Sequence, residues 1–147
     1  MRLAIAEPIS TQRILSTRLV YELGDPHSTL RATTDRSGPA VLINAGGEVD
    51  ACNEHTWQHL VREAASVVTP PGPFVVDVNG LEFMGCCAFS VLVDEAERCR
   101  RRGIELRLVS RQPIVGRIVK ACGLDALLPI YPTADAALAM TAGELLA

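Results

Sequence analysis

Aromatic residues make up only 4% of this 147-residue chain. Its core must therefore rest on Val, Leu, Ile and Ala rather than on stacked rings. No apolar run approaches the roughly 20 residues of a membrane-spanning helix, so no membrane span is expected. The stretch from Met1 to Pro8 lacks the long apolar centre of a secretory signal, which points to the cytoplasm. A basic excess is missing as well. The net charge of −3 argues against non-specific nucleic-acid binding, so no nucleic-acid partner is expected. What remains is the composition of one packed domain, 48% hydrophobic and 21% charged.

Nucleotide and metal signatures are also missing. There is no GxxxxGK[ST] run, and Gly46-Gly47 is too short for a dinucleotide fingerprint. The five cysteines, Cys52, Cys86, Cys87, Cys99 and Cys122, form neither a CxxC…CxxC zinc pattern nor an even disulfide framework. In a reducing compartment they are expected as free thiols. His55 and His59 share a helix face opposite Trp57, Val61 and Ala64, so they point to water, and no metal or cofactor is expected.

The elements read in order. Ile14, Leu15, Leu19 and Leu23 sit on one face of a short helix stopped by Asp25-Pro26. Residues 1–27 are taken as an extension, mobile or docked elsewhere, ahead of a domain over 28–147. Thr29 to Thr34 and Ala40 to Ala45 predict two strands around the turn Asp35-Arg36-Ser37-Gly38-Pro39, the second broken by Gly46-Gly47-Glu48-Val49-Asp50. Asn53 is the expected cap of a helix running to Val68. Phe74 to Val78 reads as a buried strand, followed by a loop through Leu81-Glu82-Phe83-Met84-Gly85. Cys86 to Arg102 reads as an amphipathic helix ended by Gly103.

Ile104 to Val109 is the next expected strand. A helix opened by Pro113 follows, with Ile114, Val115, Ile118 and Val119 on its core face. Leu127 to Tyr131 is a short last strand, and Thr133 caps a final helix. Strands alternating with helices imply an α/β fold with a mostly parallel sheet. The cluster Arg98, Arg100, Arg101 and Arg102 reads as a solvated helix end favoured by the helix dipole.

The segment Met84-Gly85-Cys86-Cys87-Ala88 carries the most chemistry. Thiols at a helix start have their pKa lowered by the dipole and free N–H groups. Yet no histidine stands beside them in sequence, so a catalytic triad is unsupported. Adjacent Cα atoms about 3.8 Å apart do not suit a Cys86–Cys87 disulfide. A bridge from either thiol to Cys52 or Cys122 is freer. Cys99 extends an apolar helix face and reads as a small buried hydrophobe.

This element order, with Gly47-Glu48-Val49-Asp50, Leu81-Glu82-Phe83-Met84, Gly103, Pro113 and Cys122-Gly123-Leu124, resembles the STAS domain family. Among its members the match is closest to stand-alone anti-sigma-factor antagonists. The resemblance implies a mixed, mostly parallel sheet of four to five strands with about four helices. It also implies a partner, an anti-sigma factor with a kinase-like ATP-binding fold, whose capture releases a sigma factor. In such proteins the partner phosphorylates a serine in Phe-Met-Asp-Ser-Ser-Gly and so breaks the complex. Here the segment is Phe83-Met84-Gly85-Cys86-Cys87-Ala88. Cys86 stands at the phospho-acceptor position without a hydroxyl, and Gly85 replaces the carboxylate.

Asp50, Met84, Gly85, Cys86, Cys87 and Ala88 are thus the implied partner-binding residues. A phosphate would add about −1.5 to −2 charge near Asp50; a neutral thiol adds none. Three readings follow. One is an antagonist held in its binding-competent state. The second is a redox-gated form using Cys52, Cys86, Cys87 or Cys122. The third is a small thiol enzyme or ligand-binding STAS-like domain. Ser90, Ser10, Thr11, Ser16 and Thr17 are other hydroxyls that a kinase can reach in principle, none singled out by the sequence.

Overall fold

The computed structural model describes residues 15–139. Ile14, Ser10, Thr11 and the end of the last helix lie outside them. Five strands form one sheet in the order β1 (Leu30–Ser37), β2 (Ala40–Val49), β3 (Phe74–Met84), β4 (Leu106–Val109) and β5 (Ile130–Tyr131). β1 and β2 are an antiparallel hairpin, and every later pair is parallel. The helices are α1 (Thr17–Leu23), α2 (Glu54–Ser66), α3 (Cys86–Arg101), α4 (Pro113–Ala121) and α5, residues 134–139.

Each strand pairs with the next in sequence, so right-handed crossovers carry the connecting helices to one face. That face holds the main core. Val41, Ile43, Phe74, Val76, Leu106 and Leu108 of the sheet meet Trp57, Leu60, Val61, Ala88, Leu92 and Cys99 of α2 and α3. The buried stripe of α3 (Ala88, Val91, Leu92, Glu95, Ala96, Cys99) follows the helical period, and Gly103, at φ 79°, ends the helix. On the opposite face Val75, Val109 and Ala137 make a smaller cluster under α5.

The described residues ahead of the sheet include one core contact and one anchored cap. Leu19 of α1 is buried in the main core. Ser16 caps α1 by accepting from Leu19 N at 3.2 Å, and its own N–H and hydroxyl both donate to the Glu63 carboxylate on α2.

Several elements differ from expectation for identifiable reasons. Gly46 and Gly47 do not break β2. The strand runs on to Val49 through register shifts at Asn44/Gly46 and Gly47/Glu48. The absence of side chains is what lets the backbones close: a Cβ on Gly47 would lie 2.0 Å from the Thr29 carbonyl oxygen, and one on Gly80 would lie 2.7 Å from that of Ala45. β3 likewise continues to Met84, where a loop was expected, because β2 keeps pairing with it. Ile114 is exposed rather than in the core, where α4 buries Val115 and Val119. The last two strands are shorter than their apolar runs, starting at Leu106 and Ile130.

Candidate functional site

The carboxyl ends of β2 and β3 finish together, with Val49 paired to Met84. β3 outruns β4, whose pairing stops at Asp77↔Val109, so the end of β3 keeps only β2 as neighbour. This exposes Glu82 and leaves Phe83 at 53% accessibility, high for a phenyl ring. Binding sites of open parallel sheets gather at such carboxyl ends.

Gly85 alone separates β3 from α3. Its N–H donates to the Val49 carbonyl at 3.0 Å, and its own carbonyl accepts from Ala88 N at 3.0 Å. It is the N-cap of α3 and offers no side-chain acceptor to the first turn. A side chain would nevertheless fit there, since a Cβ would have its nearest neighbours at 3.5 Å.

The adjacent cysteines diverge. Cys86 is exposed and lines a groove of about 370 Å³ between α3 and α4. Met84, Phe89, Val93, Ile118 and Cys122 are among its other walls. Cys87 is half-buried within the electrostatic reach of Glu54 and Asp50. Burial and those two carboxylates push its thiol pKa up, although N–H groups of the helix start oppose them. The expected lowering at the helix N-terminus is therefore reversed at Cys87.

Asp50 is held in a tight turn. Its carboxylate accepts from Cys52 N at 2.9 Å, and its N–H donates to Asn53 Oδ1 at 2.9 Å. Asn53 sits at the N-cap of α2 but does not cap it with its side chain. It faces backward instead, donating through Nδ2 to the Glu48 carbonyl and to Thr29 Oγ1. Cys52 is exposed on this turn. The rings of His55 and His59 touch at a 55° tilt with centroids 4.3 Å apart, and among the described residues no group of three metal-ligating side chains gathers.

Of the residues expected at the site, Met84, Cys86 and Cys122 share one groove, and Asp50 lies on the Cys87 side. Ala88 is different: its side chain is fully buried and presents no surface to a partner. Its carbonyl accepts from Trp57 Nε1 at 3.2 Å, which fixes the first turn of α3 to α2. Sequence reasoning missed Phe83, Phe89 and Ile118. Leu81-Glu82-Phe83 keeps the apolar–polar alternation of a strand, so the sequence carried no signal of the Phe83 exposure, which follows from β3 outrunning β4.

A STAS domain model matches residues 31–137. The chain is 67% identical over 138 residues to the Mycobacterium tuberculosis protein named "Putative anti-anti-sigma factor Rv2638", covering 94% of this chain and 93% of that one. It is 56% identical over 114 residues to the anti-sigma-F factor antagonist RsfA of the same species, covering 78% of this chain and 89% of that one. The crystal structure of an anti-sigma factor antagonist from Mycobacterium paratuberculosis superposes with a TM-score of 0.67 at 24% identity, over 80% of this chain and 97% of that one; at that identity it speaks to the fold alone. The β3–α3 junction thus lies within a matched domain, and the chain belongs to the STAS domain family.

Proposed function

We propose that this protein is an anti-sigma-factor antagonist. It acts in the cytoplasm by binding an anti-sigma factor with a kinase-like ATP-binding fold, and so frees a sigma factor. The observation that carries this reading is the one-residue β3–α3 junction, which presents Phe83, Met84 and Cys86 at the open end of the sheet. The names of the 67% and 56% identical relatives supply the class of partner. Glu82, Asp50 and Glu54 add negative charge around the apolar patch, which suits a basic rim on the partner.

Cys86 matches the place of the phosphorylatable serine in the family pattern Phe-Met-Asp-Ser-Ser-Gly, and a thiol is not a substrate for serine phosphorylation. The proposed antagonist is therefore constantly competent at this position. The proposed role is regulatory rather than enzymatic, and burial with two nearby carboxylates disfavours the Cys87 thiolate, the nucleophilic form. The test is to mix the protein with a purified kinase-like anti-sigma factor and labelled ATP, beside a Gly85→Asp/Cys86→Ser variant. Binding without labelling of the natural protein, and labelling of the variant, is the expected result.

A second reading is favoured by one observation. Cys86 and Cys122 are both exposed and line the same groove. Peroxide can take two electrons and two protons from this pair, forming one S–S bond and two waters. That bridge would tie α3 to α4 beside the docking patch. Equal partner affinity in reductant and after peroxide excludes this gate. A loss of affinity on oxidation that disappears in Cys122→Ser supports it.

A further inference from the structure

A second groove, of about 470 Å³, lies between α2 and α3 and is lined by Arg62, Ser66, Glu95, Arg98 and Arg102. At 1.5 Å per residue, Glu95 is about 13 Å along α3 from Cys86. Its lining residues are three arginines, one serine and one glutamate.

One of these groups lacks a partner that burial normally demands. Glu95 is only 5% exposed, yet its one close polar contact among the described residues is an ion pair of 3.6 Å to Arg98 Nε, too long for a hydrogen bond. Arg98 Nε is itself buried without a hydrogen-bond partner. Arg62 is exposed and makes no hydrogen bond or ion pair with any described residue, though its charge reaches Glu95. Arg102 is no freely solvated helix end. It donates to the carbonyls of Ala65 and Val68 at 2.9 and 3.1 Å. An anion arriving here thus meets N–H groups where it would otherwise meet the bare carbonyls that end α2.

We propose that this groove is an oxyanion site for hydrogen phosphate, with Arg62, Arg98 and Arg102 binding the anionic oxygens and the Glu95 carboxylate accepting a hydrogen bond from the P–OH. Planar guanidinium groups match phosphate oxygens in pairs. An ionised carboxylate is acceptor-only, so it rejects a fully deprotonated anion and welcomes one that still carries a donor. Inorganic phosphate keeps one proton at mildly alkaline pH; sulfate keeps none. A phosphate monoester, with its second pKa near 6, has lost its proton under the same conditions. The site therefore selects free phosphate over both.

The test is an NMR titration of the full chain at pH 7.5 and constant ionic strength, following the arginine Nε–H signals. Inorganic phosphate, sulfate and phosphoserine are added separately. Phosphate is expected to shift Arg62 and Arg98 saturably, with sulfate and phosphoserine at least about tenfold weaker. Arg62→Gln, at an exposed position with no partner to lose, weakens phosphate about tenfold. Glu95→Gln, which adds a donor, brings sulfate level with phosphate. Equal non-saturating shifts with all three anions overturn the proposal. So does phosphoserine binding as tightly as phosphate, or saturable binding that neither variant changes.

Discussion

The indole Nε1 of Trp57 donates a hydrogen bond to the carbonyl of Ala88, 31 positions away and fully buried. This bond ties the middle of α2 to the first turn of α3, directly behind the two cysteines. Trp57→Phe removes the donor and leaves a void. We expect a loss of about 2 to 4 kcal/mol in urea unfolding followed by circular dichroism. A change under 0.5 kcal/mol would show that the bond does not hold the junction.

Gly47, at φ 91°, lets the β2 backbone pass so close to Thr29 that Glu48 N donates to the Thr29 carbonyl at 2.9 Å. Gly47→Ala forces a Cβ onto that same oxygen. A destabilisation of at least about 2 kcal/mol is expected from left-handed strain and collision together. Gly38→Ala, also at positive φ but with open space around it, isolates the strain contribution and should cost less.

Cys99 is fully buried, and burial, with Glu95 nearby, pushes its thiol up to about 11 from an ordinary value of 9.0. Between those two values the unfolded chain gives up this proton and the folded chain keeps it. Stability is thus fully present below pH 9 and falls as pH rises toward 11, by about 2 to 3 kcal/mol from this group. Denaturant unfolding of Cys99→Ala across that window should lack this part of the fall. Identical pH slopes for both proteins would contradict it.

The thiols also differ in access. Iodoacetamide on the native protein, read by mass spectrometry, should modify the exposed Cys52, Cys86 and Cys122 first. Cys87, half-buried and with its thiolate disfavoured, should react more slowly, and Cys99 only after unfolding. Early labelling of Cys99 would contradict its burial.

Much of this architecture was legible in residue patterns, and the exceptions share a cause. The helical period of Trp57, Leu60, Val61 and Ala64 marks α2, and Pro113 and Gly123 bound α4, because local spacing and local φ preferences decide those elements. The lengths of β2 and β3 were not legible. They depend on two glycine-containing strands pairing with each other, a relationship between distant residues in which glycine reads locally as a break. The same holds at the site. Cys86 and Met84 are marked by motif, but their grouping with Cys122 needs α4 folded against α3. The inward turn of Ala88 needs Trp57, and the backward reach of Asn53 needs Thr29.

The decisive measurement is calorimetric titration of a purified kinase-like anti-sigma factor with the natural protein and with Cys86→Ser and Cys86→Asp, under reductant. Cys86 in a docking patch that demands a neutral side chain predicts tight binding by the first two and a loss of at least about tenfold for the aspartate, whose charge mimics part of a phosphate. Equal affinity of all three proteins, or no binding by the natural one, would contradict it.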